Sequence, residues 1–295
     1  MSQLGFPRVT IGMPVYNGEK TIASAIESSL AQTFEDFELV VCDNASSDGT
    51  VGIVDRYIAK DRRVRLLRNR TNVGANRNYS AVAREARGEY FKWASANDWC
   101  APTFLEKCVA VLDTHPEVVL AYPKTRLHKG SLMESEDYED GLDLHSDSRS
   151  TRLSQVIFHL RLNNVMNGLI RVSALRQTDL IPDHFSADVI LIGHLALLGK
   201  FVEIPEYLFY RRMDSESATR LRPTEEATAH FYPNRSAKVL FQNWRIHVGW
   251  FRVTLKARIP PADKVLIAAR LMRNLYWGWR DLASDIGEAR RYLFR

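Results

Sequence analysis

Short apolar segments alternate with amphipathic helical stretches across the first hundred residues, and this alternation constrains the fold more than any other feature. Val9–Val15 (VTIGMPV) is β-branched and small in turn, and reads as a strand. The next stretch places Ile22, Ile26, Ser29 and Leu30 on one helical face. Glu38–Cys42 (ELVVC) is nearly continuous apolar sequence, as expected of a parallel strand covered on both faces. A helix carrying Ile53, Val54, Tyr57 and Ile58 follows, then a short strand over Val64–Leu67. A helix with Tyr79, Val82, Ala83 and Ala86 on its buried face leads to a fourth strand, Tyr90–Ala94. A β-α-β-α-β-α-β order implies a parallel sheet with right-handed crossovers and helices on both faces. Polar clusters follow the strands at Tyr16-Asn17, Asp43-Asn44 and Asn97-Asp98. They emerge at the carboxyl ends of the strands, the edge where such sheets bind ligands.

The later chain is less regular. A helix opened by Pro102 runs to Thr114, and Val118–Tyr122 is a strand. Residues 131–147 hold seven acids and read as a solvated surface loop, with a flap over the site as the alternative. Asn163–Arg171 returns as a strand, and a loop ending at Asp188 enters the apolar helix Val189–Leu198. Phe201–Tyr210 is a late strand, followed by Arg211-Arg212-Met213-Asp214. Beyond about residue 218 the pattern is helical. There Val265, Ala268, Met272, Leu275 and Trp279 repeat at three and four, with Lys264, Arg270 and Arg273 off that face. Packing of this face onto the rest of the chain is the favoured reading. A membrane-surface helix, marked by Trp277 and Trp279 near arginines, is the alternative.

Charge and missing motifs narrow the function. Residues 256–295 carry nine Lys/Arg against four acids, which matches the whole net charge of +5 and leaves the rest near neutral. That argues against a nucleic-acid partner and leaves open peripheral contact of the tail with an anionic membrane, as well as a homo-oligomer. No apolar run reaches the roughly 18 residues of a membrane span, and residues 1–8 lack a signal-peptide pattern. Cys42, Cys100 and Cys108 fall in no zinc or redox spacing, so the expected setting is the cytoplasm, including the inner face of its membrane. No G-x-G-x-x-G, no G-x-x-x-x-G-K-[ST] and no G-x-S-x-G occurs. A nucleotide's phosphates would therefore be held by a metal or by side chains.

The blocks Val9–Asn17 (VTIGMPVYN), Leu39–Thr50 (LVVCDNASSDGT), Asn72–Asn78 (NVGANRN) and Gly88–Pro102 (GEYFKWASANDWCAP) resemble the family 2 glycosyltransferases in order and spacing. Arg211–Ser217 is similar to the family's closing segment. The resemblance implies a GT-A fold: an α/β, Rossmann-like, mostly parallel sheet flanked by helices. Residues 1–115 would form the nucleotide-sugar half and 116–217 the acceptor and catalytic half, with 218–295 a helical C-terminal extension. It implies a UDP- or GDP-sugar donor, a glycan, lipid-linked or small-molecule acceptor, and inversion at the anomeric carbon. Pro14 and Tyr16 match positions lining the base, and Asp43 matches a base or ribose contact. Asn44 and Asp48 resemble supports of the turn that follows, with Asp48 capping the next helix. Arg77 and Asn78 match a donor-side pair, and Arg211 and Arg212 lie in the closing segment. Asp188 matches the catalytic base, with Asp183 and Asp179 as reserves and a helix N-cap as its plain structural role.

Two positions depart from the family pattern. Where the family carries D-x-D before the last acid, this chain has Ser95 and Asn97, and only Asp98 remains. A neutral amide supplies oxygen without charge to Mg²⁺ or Mn²⁺. Met213 stands where a histidine often helps hold the ion. A divalent cation is expected on Asp98, with Asn97 and Asp214 as further candidates, unless Arg77, Arg211 and Arg212 take over part of its role. The lost acids also motivate an alternative, a nucleotide-binding scaffold without turnover. A sugar nucleotidylyltransferase is disfavoured, because no Gly-rich basic loop follows the first strand.

Overall fold

The computed structural model describes residues 5–183, 187–213 and 241–293, without the side chains of 291–293. Its strands are β1 (Val9–Val15), β2 (Phe37–Asp43), β3 (Val64–Arg68), β4 (Tyr90–Trp93), β5 (Trp99–Cys100), β6 (Val118–His128), β7 (Ser135–Tyr138), β8 (Leu169–Arg171) and β9 (Lys200–Arg212). They form one sheet in the order β3-β2-β1-β4-β8-β6-β9-β5, with β7 paired to β6. β1 runs parallel to β2 and β4, and β2 parallel to β3. β8 is antiparallel to both β4 and β6, so β6 and its parallel neighbour β9 share the direction of β4. The sheet is therefore mostly parallel, as expected.

Helices α1 (Ile22–Leu30), α2 (Thr50–Ile58) and α4 (Phe104–Thr114) cover one face, and α3 (Ala75–Arg84), α5 (Arg149–His159) and α7 (Asp188–Leu198) the other; α6 (Val172–Leu175) is a short turn after β8. β2 explains why its sequence is continuously apolar. Leu39 and Val41 join the core with Ile26, Val54 and Leu105, while Val40 and Cys42 join the opposite core with Val82, Phe91 and Leu191. Period-two alternation feeds two cores at once.

The acidic stretch is not a free loop. Its residues 135–138 form β7 on the edge of β6, with Asp137 paired to Arg126 and Glu139 to Lys124. Asp140 is buried, accepts from the Thr125 hydroxyl at 2.9 Å, and is pushed up to about 6 by burial. Cross-strand pairing to basic residues of β6 offsets the repulsion that made this stretch read as solvated. The expected strand over 163–171 is shorter, a 3₁₀ turn over Asn164–Asn167 followed by β8.

Three helices close the chain: α8 (Gln242–Lys256), α9 (Pro261–Trp277) and α10 (Trp279–Leu293). Trp250 and Val253 of α8, with Ile267 and Leu271 of α9, share a third core with Leu153 of α5 and Ile190 and Leu197 of α7. From α10, Asp285 accepts the Asn243 and Trp244 backbone N–H groups at 2.8 and 3.3 Å, capping the start of α8. The boundary expected near 217 lies outside the described residues. The face assigned to packing is corrected: Val265 is 71 % exposed, and Met272 and Trp279 are each 58 % exposed. The opposite stripe, Ile267, Leu271 and Asn274, turns inward. Apolar residues occupy more than one face of α9, so periodicity alone could not choose between them. The helix also ends at Gly278, and Trp279 opens the next one. In urea unfolding, Leu271→Ala (1 % exposed) is expected to cost about 2–5 kcal/mol. Met272→Ala should stay within about 0.5 kcal/mol, and equal losses would reject this orientation.

Candidate functional site

The ends of β1 and β2 are held in register at Val15 opposite Asp43. Beyond them the chain leaves the sheet through Asn17 and Ala45, both at positive φ (51° and 61°). A network of side-chain amides fixes these exits. Asn78 of α3 donates to the Cys42 and Val15 carbonyls at 2.9 and 3.4 Å and accepts from Asn69 at 2.9 Å. Asn44 donates to Asn72 at 2.8 Å and accepts from Asn69 and from the Val73 N–H at 3.1 and 3.0 Å. Asn72 in turn accepts from the Gly74 N–H at 2.9 Å. Gly74, at φ 89°, opens α3. Asp48 accepts from the Glu19 and Thr50 N–H groups at 3.0 and 3.1 Å, tying the loop after β1 to the first turn of α2.

These loops enclose a cleft of about 520 Å³ at the carboxyl edge of the sheet. Of the residues singled out from sequence, Pro14, Tyr16, Asn44, Asn78, Asn97 and Arg212 line it. Tyr16 is exposed over the opening, free to stack on a planar ring. Asp43 is 0 % exposed, its carboxylate taken by the Ser46 N–H at 3.2 Å with Arg68 at 3.9 Å. Arg77 points away to Asp183, at 2.7 Å. Asp98, Arg211 and Asp188 stand behind the cleft wall rather than in it.

That second layer adjoins Tyr79, a residue of the cleft lining that the sequence placed only on the buried face of α3. Burial, with the nearby Asp98 and Asp188 carboxylates, pushes the Tyr79 phenol above its usual range against the pull of Ser95 and Arg211. The spacing of Ala75, Asn78 and Tyr79, at i, i+3 and i+4, could have shown that they share one face. Asp98 accepts the Arg212 N–H at 2.9 Å. Burial pushes its carboxyl above the ordinary range, opposed by Arg211, the Arg212 N–H, Ser95 and Lys92. Arg211 donates to the Leu162 carbonyl and, at 2.5 Å, to Asn164.

Asp188 is the first residue of α7, and Ala187 occupies the N-cap position, so the plain capping role does not apply. Its carboxylate accepts from the Asn163 amide at 2.6 Å. Asn163 is buried and sits in the left-handed region at φ 52°, a conformation that stores strain and is tolerated where surroundings fix it. Asn163 went unnoticed in the sequence, where it reads as the start of a strand.

The family model described as Glycosyl transferase family 2 matches residues 10–178, more than half of the chain. The chain belongs to this family. Its Bacillus subtilis relative EpsE is 38% identical over 110 residues, 37% of this chain and 40% of EpsE, so the chain spans less than half of that relative. S. aureus TarS, solved in complex with UDP, superposes with a TM-score of 0.65 at 18% identity, over 91% of this chain and 72% of that structure. The mannosyltransferase PcManGT from Pyrobaculum calidifontis, solved with GDP-Man and Mn2+, gives 0.55 at 18% identity over 98% and 87%. These likenesses establish the fold expected of the family.

Within this family frame, the described residues bring no three His, Cys, Asp or Glu side chains together as a metal cage. Asp214 lies outside the described residues. Of the two described residues expected to hold a cation, Asn97 lines the cleft, while Asp98 lies behind its wall with one oxygen on the Arg212 N–H. Replacing Asn78 by Ala removes a buried donor from the Cys42 carbonyl and leaves one N–H of the Asn69 amide without its acceptor, while the Val15 carbonyl keeps the Asn44 N–H. Asn78→Ala is expected to lower stability by about 1–3 kcal/mol in urea unfolding and to weaken UDP or GDP binding in calorimetry, whereas an unchanged melt would show the clamp to be dispensable.

Proposed function

We propose that the chain is an inverting glycosyltransferase that moves a sugar from a UDP- or GDP-sugar to a hydroxyl of a glycan, lipid-linked or small-molecule acceptor. The observation that carries this reading is the pairing of a nucleotide-sized cleft at the carboxyl edge of the sheet with an oriented carboxylate, Asp188, behind it. The solved complexes of TarS with UDP and of PcManGT with GDP-Man support a nucleotide-sugar donor. Tyr16 stacks on the base and the pyrophosphate lies toward Ser95, Asn97 and Arg212. A divalent ion at Asp98, when bound, offsets the charge that gathers on the departing diphosphate. Arg212 supplies a fixed cation on the same side.

Asp188 acts as general base. It takes the proton of the acceptor hydroxyl as that oxygen bonds to the anomeric carbon, while the bond to the diphosphate breaks and its electron pair leaves with the diphosphate. Attack opposite the leaving group inverts the centre. Asn163 is a positioning residue: its amide holds one carboxylate oxygen and leaves the other for the acceptor. Asp188→Asn is expected to lower transfer by at least about 100-fold with UDP- or GDP-sugar binding retained in calorimetry. Asn163→Gly keeps the left-handed backbone, and should reduce kcat and shift its pH profile while leaving donor affinity unchanged. Near-normal turnover in Asp188→Asn would end the assignment. The missing D-x-D acids favour a scaffold without turnover as second reading, which absence of transfer with and without EDTA, despite donor binding, would support.

The outward stripe of α9 supports a peripheral contact with an anionic membrane. Val265, Met272, Tyr276 and Trp277 are exposed together, and Arg273 lies 4.9 Å over the Trp277 ring. Aromatic rings flanked by cations suit the headgroup layer. Among the described residues no helix is long and apolar enough to cross a membrane. Co-sedimentation with phosphatidylglycerol vesicles, lost in Tyr276→Ser/Trp277→Ser and absent with phosphatidylcholine, is the expected result; binding unaffected by the double variant would remove this face from the contact.

A further inference from the structure

A second cavity, of about 440 Å³, lies between the loop 179–182, α7 and α8, apart from the donor cleft. Leu180, Pro182, Ile190, Leu191, Trp244 and Val248 give it apolar walls. Two features mark it as more than a packing gap. His194, from the middle of α7, lines it, is 2 % exposed, and leaves Nε2 without a hydrogen-bond partner. A buried polar atom without a partner costs stability, and native proteins retain few of them. Leu180 sits at φ 58°, a left-handed conformation that is a genuine outlier for a bulky residue. Orphaned donors and strained backbone cluster where a ligand completes the arrangement.

The charge at the cavity defines what completes it. Asp179, Arg245 and Arg252 line the cavity. Asp179 is already paired with Lys256 at 2.6 Å and faces Arg252 at 3.9 Å, so the cations outnumber the acid. Asp179 and Lys256 are also the charges that act on His194, which places the imidazole at the polar end. Burial holds its pKa below the ordinary range, so the ring is neutral and one nitrogen carries a hydrogen to donate.

We propose that this cavity binds an amphiphile, an acyl or prenyl chain bearing a phosphate or carboxylate head. The chain lies against Leu180, Ile190 and Trp244, and the head meets Arg252 and the His194 Nε2–H. This site goes beyond the transferase reading, yet it adjoins the donor cleft through one loop. Ser80 donates to the Ile181 carbonyl at 3.2 Å, Asn76 to the Pro182 carbonyl at 3.2 Å, and Arg77 pairs with Asp183, all from the helix whose start lines the cleft.

The test is calorimetric titration of the full chain with dodecyl phosphate below its micelle concentration. Saturable binding of one equivalent is expected, with dodecanol and inorganic phosphate each at least about tenfold weaker, since each lacks one half of the recognition. His194→Leu keeps the apolar wall and should weaken dodecyl phosphate by about tenfold or more, the worth of a hydrogen bond to a charged group. Val248→Trp, at an exposed position on the rim, fills the mouth and should abolish binding. UDP binding, measured on the same samples, is expected to be unchanged in both variants and reports the donor cleft separately. Absence of saturable dodecyl phosphate binding overturns the proposal, as does binding that Val248→Trp leaves undiminished. Equal affinity for inorganic phosphate alone would reduce the site to a surface anion contact and overturn it too.

Discussion

The Asn78 amide reaches two carbonyls at the end of the parallel sheet, Cys42 at 2.9 Å and Val15 at 3.4 Å, and ties α3 to the edge that forms the cleft. Where β1 and β2 end, the backbone pairing stops at the Asn44 N–H on the Val15 carbonyl and the Asn69 N–H on the Asp43 carbonyl, each at 2.9 Å. Asn78 reaches both strands from α3, and Asn69, Asn44 and Asn72 extend the bonding to the start of that helix. Buried amides suit this task because each offers donors and an acceptor without charge, and in a low-dielectric interior a fully bonded network is rigid. The consequence is a fixed edge from which Tyr16, Asn97 and Arg212 project toward one space.

Charge behind that edge is arranged around few acids. Asp98 answers to Arg211, the Arg212 N–H and Lys92, and Lys92 is itself buried, donating to the Trp93 carbonyl at 2.9 Å beneath the Phe104 ring. Asp188 is held by an amide, not a cation. With Ser95 and Asn97 neutral, Asp98 is the one carboxylate of the 95–98 loop beside these cations.

Much of the fold was legible because its signals are local and repeated. β2 announced burial on both faces, and the turn residues after β1, β2 and β4 marked the ligand edge. The closing helices were legible as helices, but α9 carries apolar residues on more than one face, so which stripe packs depended on Trp250 and Leu153, outside that helix. Residues 131–147 are solvated as expected at every acid but Asp140, while β7 over Ser135–Tyr138 is defined only by the β6 strand alongside it. At the site, residue types were readable while directions were not. Nothing in the sequence tells that Arg77 turns to Asp183, or that Asp43 closes on the Ser46 N–H. Asn163 was hidden because left-handed backbone at a non-glycine residue leaves no pattern.

Helix α7 is clasped between α5 on one side and α8 on the other, with α9 sealing the joint. Its first residue is Asp188. A chain emerging from the ribosome can assemble the strands around β1 from sequence already made, since β1 to β4 and their helices are consecutive. The carboxylate's helix has no such independence, because Trp250, Val253 and Leu271 are synthesised long after it. The strands around β1 can therefore form in a nascent chain while the helix that begins at Asp188 still lacks its packing partners.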